Sequence, residues 1–521
     1  MKQITNYMRL STFFLSLIFI VSCAQPKVKR YADGLRRGIP ENEGVGSHGI
    51  LDFIEEVDNN GLELHSFMFL RHGKVIAEGW WYPYRPEINH LMHSVSKTFT
   101  STAIGFAVNE GLLTVNDKVI SFFPDDLPPV VSPNLEKLTI KHLLTMTAGH
   151  ETPPVFTVAD GNWVRSYLAT PIVNEPGTVF SYSSYASYML SAIVQKVSGM
   201  TTFNYLKPRL FEPLEITDIQ WETDPRGITC GGWGLRIKTS DMAKFGQFYL
   251  QNGKWGQKQL LPAEWIREAT SVHIYQVDDP TFEQEMYDEG AQGYGYQIWR
   301  TTHNAYRADG SHGQYIVVMP DQDAVIAITA RVPDMHSILR LLWEHLFPSI
   351  MEGPIKPDDL ARDLLTSKLI SLQIPDPFRS VDYIEIPKET TRSYTFEPNQ
   401  RNIQYVSFNF DENGECLMTL QQSDISYSFN FGLDIWRYGE TEKPGPYFLN
   451  PRRNPTGLSP FQIAGYGSWT AEDQLNLRLL YITDIQDETY KCTFSTSEIR
   501  LEITNSIEPD SAIILKGTLN P

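Results

Sequence analysis

Cysteine is scarce. The 521 residues contain four, Cys23, Cys230, Cys416 and Cys492. None stands with histidine at the spacing of a zinc site, so no metal and no cofactor are expected. Basic stripes are also missing. The formal net charge is −18, which argues against nucleic acid, because a phosphate backbone needs Lys/Arg arrays. The chain has no Gly-x-Ser-x-Gly elbow, no His-Glu-x-x-His and no Gly-x-x-x-x-Gly-Lys phosphate loop, which removes the usual signatures of three other chemistries. Solenoid repeats and low-complexity tracts are absent. What remains is a chain with 41% hydrophobic and 20% charged residues, able to bury a core and long enough for two or three domains.

Lys2 and Arg9 precede the apolar run "FFLSLIFIV", which ends at Ser22-Cys23. The run is too short for a good membrane span and reads as a secretory h-region. Its ending resembles a bacterial lipoprotein cleavage site, with Cys23 as the lipidated residue; an ordinary signal peptide is the alternative. The expected layout is a signal peptide over 1–22, a polar tether over 23–40, a catalytic domain over 41–350, a linker over 351–380 and a strand-rich domain over 381–521. The expected location is the bacterial cell envelope, facing the periplasm or the outer surface, with the membrane reached through the lipid anchor. In such an oxidising compartment Cys416 and Cys492 could pair, and Cys230 has no evident partner.

"HGILDFIEEVDNNGL" has helical spacing, and "HSFMFLRHGKVIAEGWW" reads as a hairpin around His72-Gly73. "HLMHSVSKTFTSTAIGFAVNEGLL" reads as an amphipathic helix ended by Gly111, with Ser94 in its first turn. "LEKLTIKHLLTMTAGH" reads as one short helix, "TVFSYS" as extended chain and "YASYMLSAIVQKVSG" as a helix with Gly199 as its cap. Strand patterns return at "GYGYQIWR", "AYRADGSHGQYIVVMP" and "AVIAITARV", and "MHSILRLLWEHLF" is a closing helix. Past residue 381, eight short alternating segments separated by turn residues predict a closed barrel or a sandwich.

The chain's only Ser-x-x-Lys is Ser94 to Lys97. On a helix, residues three apart share a face at about 5–6 Å between Cβ atoms. A serine hydroxyl is a poor nucleophile until a base takes its proton. Lysine can be that base only when neutral, which requires its pKa to fall from about 10.4 toward roughly 7–8. By itself the pair reads more readily as a solvated surface feature. A second element, "EPGTVFSYSSYASYML", sets Tyr182 at the entry to a helix with Ser184 two residues on. There a tyrosine can relay protons, or simply fill core. The third is "ADGSHGQYIVVMP", where Gly313 would let a substrate carbonyl approach the backbone and the N–H groups of Ser94 and Gln314 would form an oxyanion hole.

The order Ser-x-x-Lys, Tyr-x-Ser and then a glycine-bearing strand resembles the serine hydrolases of the class C β-lactamase and penicillin-binding-protein group. "LTIKHLLTMTAGH", "GGWGLRIKTSDMAKFG" and "PGTVFSYSS" are similar to connecting segments of that group, and the likeness spans roughly residues 40 to 350. It implies an α+β fold: a β-lactamase/DD-peptidase-like antiparallel sheet flanked by helices, with a helical subdomain. It also implies Ser94 as acyl-accepting nucleophile, Lys97 as its base and Tyr182 as proton relay. The C-terminal strands are similar to the lipocalin-like barrels appended to some members, forming a separate all-β domain.

Two departures stand out. Ser184 occupies a position that is usually Asn. The third motif, Lys-Thr-Gly in β-lactamases, aligns with Ser311-His312-Gly313, which lacks the cation that greets a carboxylate. Ser184, Ser311, His312 and Gly313 are therefore the expected substrate-binding set for a small-molecule acyl donor other than a β-lactam. His90 and His93 flank the nucleophile, as cleft-lining groups or loop anchors. Trp80, Trp81, Tyr185 and Trp233 are candidates for an apolar acyl or acceptor site, or for core. The expected activity is ester or amide hydrolysis. Acyl transfer to an apolar alcohol is the alternative, and an inactive binding lipoprotein is a third reading.

Overall fold

The computed structural model describes residues 33–277, 288–378, 390–413, 415–446 and 460–521. The signal peptide, Cys23 and most of the 23–40 tether lie outside the described residues.

Seven strands form the first sheet: β1 (Arg36–Arg37), β2 (Glu63–Arg71), β3 (Lys74–Trp80), β4 (Trp299–Arg300), β5 (Tyr306–Gly310), β6 (Gln314–Met319) and β7 (Ala324–Arg331). Their order is β1-β3-β2-β7-β6-β5-β4, antiparallel throughout except for β1 against β3. The helices that cover this sheet and build the site are α1 (Ser47–Asn59), α2 (Ser96–Asn109), α3 (Ser184–Ser198), α4 (Thr239–Leu250) and α5 (Asp359–Ile370). Strand β2 shows why both faces need covering. Its side chains alternate across the sheet, so Phe67 and Phe69 join Ile50 and Phe53 of α1 in one core. Met68 and Leu70 enter a second core with Phe245 and Phe248 of α4.

Helix α2 is not amphipathic. Every residue from Ser96 to Ala107 is buried, and most of its hydroxyls find partners. Thr98 donates to the Gln297 carbonyl at 2.8 Å, Thr100 to the Gly231 carbonyl at 2.8 Å, and Thr102 shares a 2.7 Å bond with the Tyr249 hydroxyl. Small hydroxyl side chains thus admit neighbours on all sides with most of their polar atoms paired; the buried Ser101 hydroxyl is the exception. Ser94 itself lies in a one-turn 3-10 segment, His93–Val95, immediately ahead of α2.

Four local expectations change. "LEKLTIKHLLTMTAGH" makes two short helices, Pro133–Lys137 and Ile140–Leu144, and "TVFSYS" is not strand. The stretch 351–380 holds α5, whose N-cap Asp358 accepts the Ala361 N–H at 3.0 Å. That helix docks by burying Leu365 and by a 2.7 Å ion pair from Lys368 to Asp58 of α1. The fourth change governs the site. "AYRADGSHGQYIVVMP" is a hairpin, β5 into β6, with Ser311, His312 and Gly313 as its turn. His312 and Gly313 adopt φ of 66° and 96°, and the Gly313 N–H closes the turn on the Gly310 carbonyl at 3.1 Å.

The second part is a separate barrel of β8 (Thr390–Phe396), β9 (Ile403–Phe410), β10 (Cys416–Gln422), β11 (Ile425–Leu433), β12 (Arg437–Thr441), β13 (Phe461–Ala471), β14 (Gln474–Tyr481), β15 (Asp487–Phe494), β16 (Glu498–Asn505) and β17 (Ile513–Leu519). Nine of these strands close when β13 pairs back onto β11 through Gly432 and Tyr466, and β12 lies along β13. The interior is filled by residues such as Phe408, Phe431, Leu477 and Leu501. Cys416 and Cys492 are buried there and free rather than bridged, and burial pushes both thiols above their ordinary pKa. Barrel residues Trp436, Tyr466, Leu480 and Ile482 pack into the same core as Tyr84 and Phe67 of the first part. Along this seam Arg331 reaches both Glu63 and Asp487 at 2.6 Å.

Candidate active site

Ser94, Lys97, Tyr182 and Ser184 converge. The Lys97 side chain is buried, with its Nζ 2.9 Å from Ser94 Oγ, 3.1 Å from Ser184 Oγ and 2.7 Å from the Gly232 carbonyl. An ammonium would donate to all three oxygens. A neutral amine donates to two and accepts from the third, and the Ser94 and Ser184 hydroxyls are the partners able to donate. Ser184 opens α3, whose N-cap Ser183 accepts the Ala186 N–H at 3.3 Å. Gly232 is needed for close approach: a Cβ there would lie 2.4 Å from the Ser184 carbonyl, and without that approach its own carbonyl would not reach Lys97.

Tyr182 lines the same cavity as Ser94, and Lys97 Nζ lies 4.8 Å from the Tyr182 ring centre. Burial, reinforced by the Asp309 carboxylate, pushes the phenol well above its ordinary pKa, and the neighbouring Ser94 hydroxyl only partly pulls it back. At neutral pH Tyr182 is therefore a phenol that can pass a proton, not a phenolate. Trp299, 5.5 Å away between ring centres, and Phe180, 5.8 Å beyond Trp299, continue an aromatic wall.

These groups line a cavity of about 630 Å³. Ser311 lines it as well, but His312, Gly313 and Gln314 do not. The reason is the hairpin: the strand that passes the nucleophile is β5, not the continuation into β6. Gly310 of β5 lies so close that a Cβ would sit 2.4 Å from the Met92 carbonyl. Gln314 is fully buried behind the turn, where its amide bonds the Ser311 carbonyl at 3.0 Å and the Ala330 carbonyl at 2.7 Å. The triplet facing Ser94 is accordingly Ala308-Asp309-Gly310.

Of the aromatic candidates, Trp233 lines the cavity. Trp81 and Tyr185 are core, and Trp80 packs against core. His93 lines the cavity, whereas His90 is buried against His65 at 2.9 Å. Asp309, Arg307, His336 and Trp299 complete the lining and were not singled out from sequence; reading one hairpin as one strand hid the first two. A larger cavity, about 840 Å³, opens on the barrel. Its Lys443 is held by Glu488 at 2.6 Å, so it offers no serine with a free base.

The barrel reaches the nucleophile turn directly. The Leu91 N–H donates to the Thr483 carbonyl at 2.8 Å, and Asp484 lies 3.7 Å from His93 Nε2 and 3.5 Å from Arg236.

Residues 56–344 match the Beta-lactamase family. The chain belongs to the beta-lactamase family. Among relatives of this beta-lactamase-family chain, the 6-aminohexanoate-dimer hydrolase of Paenarthrobacter ureafaciens is 24% identical over 287 residues, covering 52% of this chain and 73% of its own. The beta-lactamase of Yersinia enterocolitica is 27% identical over 280 residues, covering 48% and 65%. Among solved structures, the octameric penicillin-binding protein homologue from Pyrococcus abyssi aligns with 91% of this chain and 99% of its own, at 16% identity and a TM-score of 0.44.

Proposed function

We propose that the protein is a serine hydrolase that cleaves an ester, amide or other acyl donor through a Ser94 acyl-enzyme. The observation that carries this reading is the buried Lys97 amine 2.9 Å from Ser94 Oγ, with two further oxygen partners to orient it. As Ser94 Oγ attacks the carbonyl carbon, its proton passes to neutral Lys97. Tyr182, beside Ser94 in the same cavity, relays a proton to the leaving group. Water then enters along the same path and releases the acid, with the proton steps reversed.

The Ser94 N–H is one oxyanion donor. The second is the N–H of Ser311, the residue after Gly310, in place of Gln314. Two such donors supply several kcal/mol of transition-state stabilisation. The Ala308-Asp309-Gly310 triplet has no cation for a β-lactam carboxylate, so the proposed substrates are acyl donors of another kind. The leader and Cys23 add a lipid-anchored home in the cell envelope to the same proposal.

The test is a fluorophosphonate probe on the full chain, followed by peptide mapping. Label on Ser94 in the wild type, lost in Ser94→Ala, is the expected result. An unlabelled wild type would instead favour a binding protein that has kept the scaffold. Product mass spectrometry with an acyl ester, with and without an added apolar alcohol, separates hydrolysis from acyl transfer: free acid alone is expected.

A further inference from the structure

A carboxylate stands in the substrate cavity at the position where the Lys-Thr-Gly pattern has threonine. Asp309 lines the same cavity as Ser94, on the strand that Gly310 brings against the Met92 carbonyl and the His93 Cβ. Ala308, at the lysine position, supplies no charge.

The charges around Asp309 do not cancel. Its ion-pair partner is Arg307, Nε to Oδ2 at 3.2 Å. That guanidinium is shared with a second carboxylate, Glu289, at 3.4 Å. Two further N–H groups bond the Arg300 carbonyl at 2.9 Å and the Glu289 carbonyl at 3.1 Å. One buried cation thus serves two buried carboxylates, a formal charge of −1. Lys97, His336 and the phenols of Tyr182, Tyr294 and Tyr315 also interact with Asp309. Lys97 must be neutral to take the Ser94 proton, which leaves His336 as the group that could offset the excess. Burial holds the Asp309 carboxyl above its usual range, while Arg307 and His336 pull it down incompletely. An arriving cation would relieve that imbalance.

We propose that Asp309 selects acyl donors that carry an ammonium or comparable cationic group on the β5 side of the scissile carbonyl, and rejects those that carry a carboxylate there. This rests on Ser94 being the nucleophile. Exchanging a cation-and-hydroxyl recognition strand for one bearing an acid reverses the sign of the group that can be desolvated beside it.

Three p-nitrophenyl esters of equal acyl length test it, ending in trimethylammonium, tert-butyl or carboxylate. The first two are close in shape and differ in charge. In the wild type we expect kcat/KM to fall in that order, with at least tenfold between the ends. The ratio of the trimethylammonium to the tert-butyl ester should move toward one in Asp309→Asn and in Asp309→Ser, whatever the absolute rates. Equal kcat/KM for those two esters in the wild type, or a ratio unmoved in a folded Asp309 variant, overturns the proposal and leaves the Ser94 reading standing. No Ser94-dependent turnover of the tert-butyl ester, together with no fluorophosphonate labelling, sinks both.

Discussion

The sheet domain and the barrel both bury polar groups, but for different purposes. In the sheet domain, buried Arg307 and mostly buried Asp309 line a cavity with partly exposed Ser94, and buried Lys97 stands behind that serine. In the barrel the interior is aromatic and aliphatic, and buried polar side chains cluster between Arg478 and Glu488, in β14, β15 and their connection. That is the part of the barrel that meets the sheet domain. The first arrangement is chemical: it holds groups poised around an empty volume. The second is architectural: it satisfies charges at a seam. If this contrast is right, substitutions at the two places should fail in different currencies, one in rate and the other in stability.

The largest effect should come from Lys97→Ala. Removing a general base lowers rate by about 10²–10⁴-fold, so kcat for an ester should fall by that much while the melting temperature changes little. A protein that melts early instead would make Lys97 a structural ion. Next is Arg331→Ala. It strips a cation from Glu63 and Asp487, both mostly buried. Breaking a buried pair costs about 3–5 kcal/mol. The partial exposure of Arg331 and the second cation Arg478, 2.6 Å from Asp487, set the expectation near the lower end, about 3 kcal/mol. Urea unfolding should then split into two transitions as the barrel comes away from the sheet domain. A single unshifted transition would mean that the seam contributes nothing.

A smaller effect follows from pH. His65 and His90 are hydrogen-bonded to each other at the same seam, 2.9 Å apart between ring nitrogens. Burial lowers both below the ordinary 6.5. The unfolded chain therefore takes up protons on them first. Their contribution to stability is complete above about pH 6.5 and is lost as pH falls from there through the folded values, roughly 1–3 kcal/mol by pH 5.5 for the pair. Glu63 acts in the same direction lower down. Burial pushes it up, but the bond with His65 and the charges of Arg331 and Arg478 outweigh that and leave it well below its ordinary 4.5. The two arginines carry fixed charge, so this depression holds even with His65 neutral. Unfolding free energies at pH 7.5 and 5.5 should differ by the stated amount in the wild type and by less in His90→Gln.

The contrast also explains what the sequence revealed. Ser94, Lys97, Tyr182 and Ser184 were legible because helix geometry fixes the first pair and a helix entry carries the second. The third motif was misplaced because "AYRADGSHGQYIVVMP" has a continuous strand pattern, and only a turn with His312 and Gly313 at positive φ divides it. In the barrel, β17 escaped notice because Lys516-Gly517 interrupts its apolar alternation. The structure gives the reason for that glycine: a Cβ at 517 would sit 2.8 Å from the Phe396 ring. Helix α5 was hidden because its docked face is narrow: Leu360, Leu364 and Ile370 are exposed while Ala361 and Leu365 are buried.

The smallest predicted effect sits where the two regions meet, at Asp484. His93 immediately precedes Ser94 and has φ of 45°, a conformation that costs a non-glycine residue on the order of 1–3 kcal/mol unless its surroundings enforce it. Asp484 of the barrel faces His93 at 3.7 Å and Arg236 at 3.5 Å, and Arg236 is itself tied to Glu222 at 3.2 Å. The carboxylate is therefore positioned to hold the turn that presents Ser94, without touching substrate. A small loss of alignment at a nucleophile lowers rate more than affinity. Asp484→Ala should reduce kcat about three- to tenfold with KM unchanged, a barrier change of about 1 kcal/mol. Asp484→Asn, which keeps the shape and one acceptor oxygen, should recover part of it. The Leu91 to Thr483 backbone bond survives both changes, so the barrel should stay docked and the melting temperature nearly constant. An unchanged kcat in Asp484→Ala would show that the barrel covers the catalytic turn without shaping it. A loss shared equally by kcat and melting temperature would return Asp484 to the architectural side of the comparison.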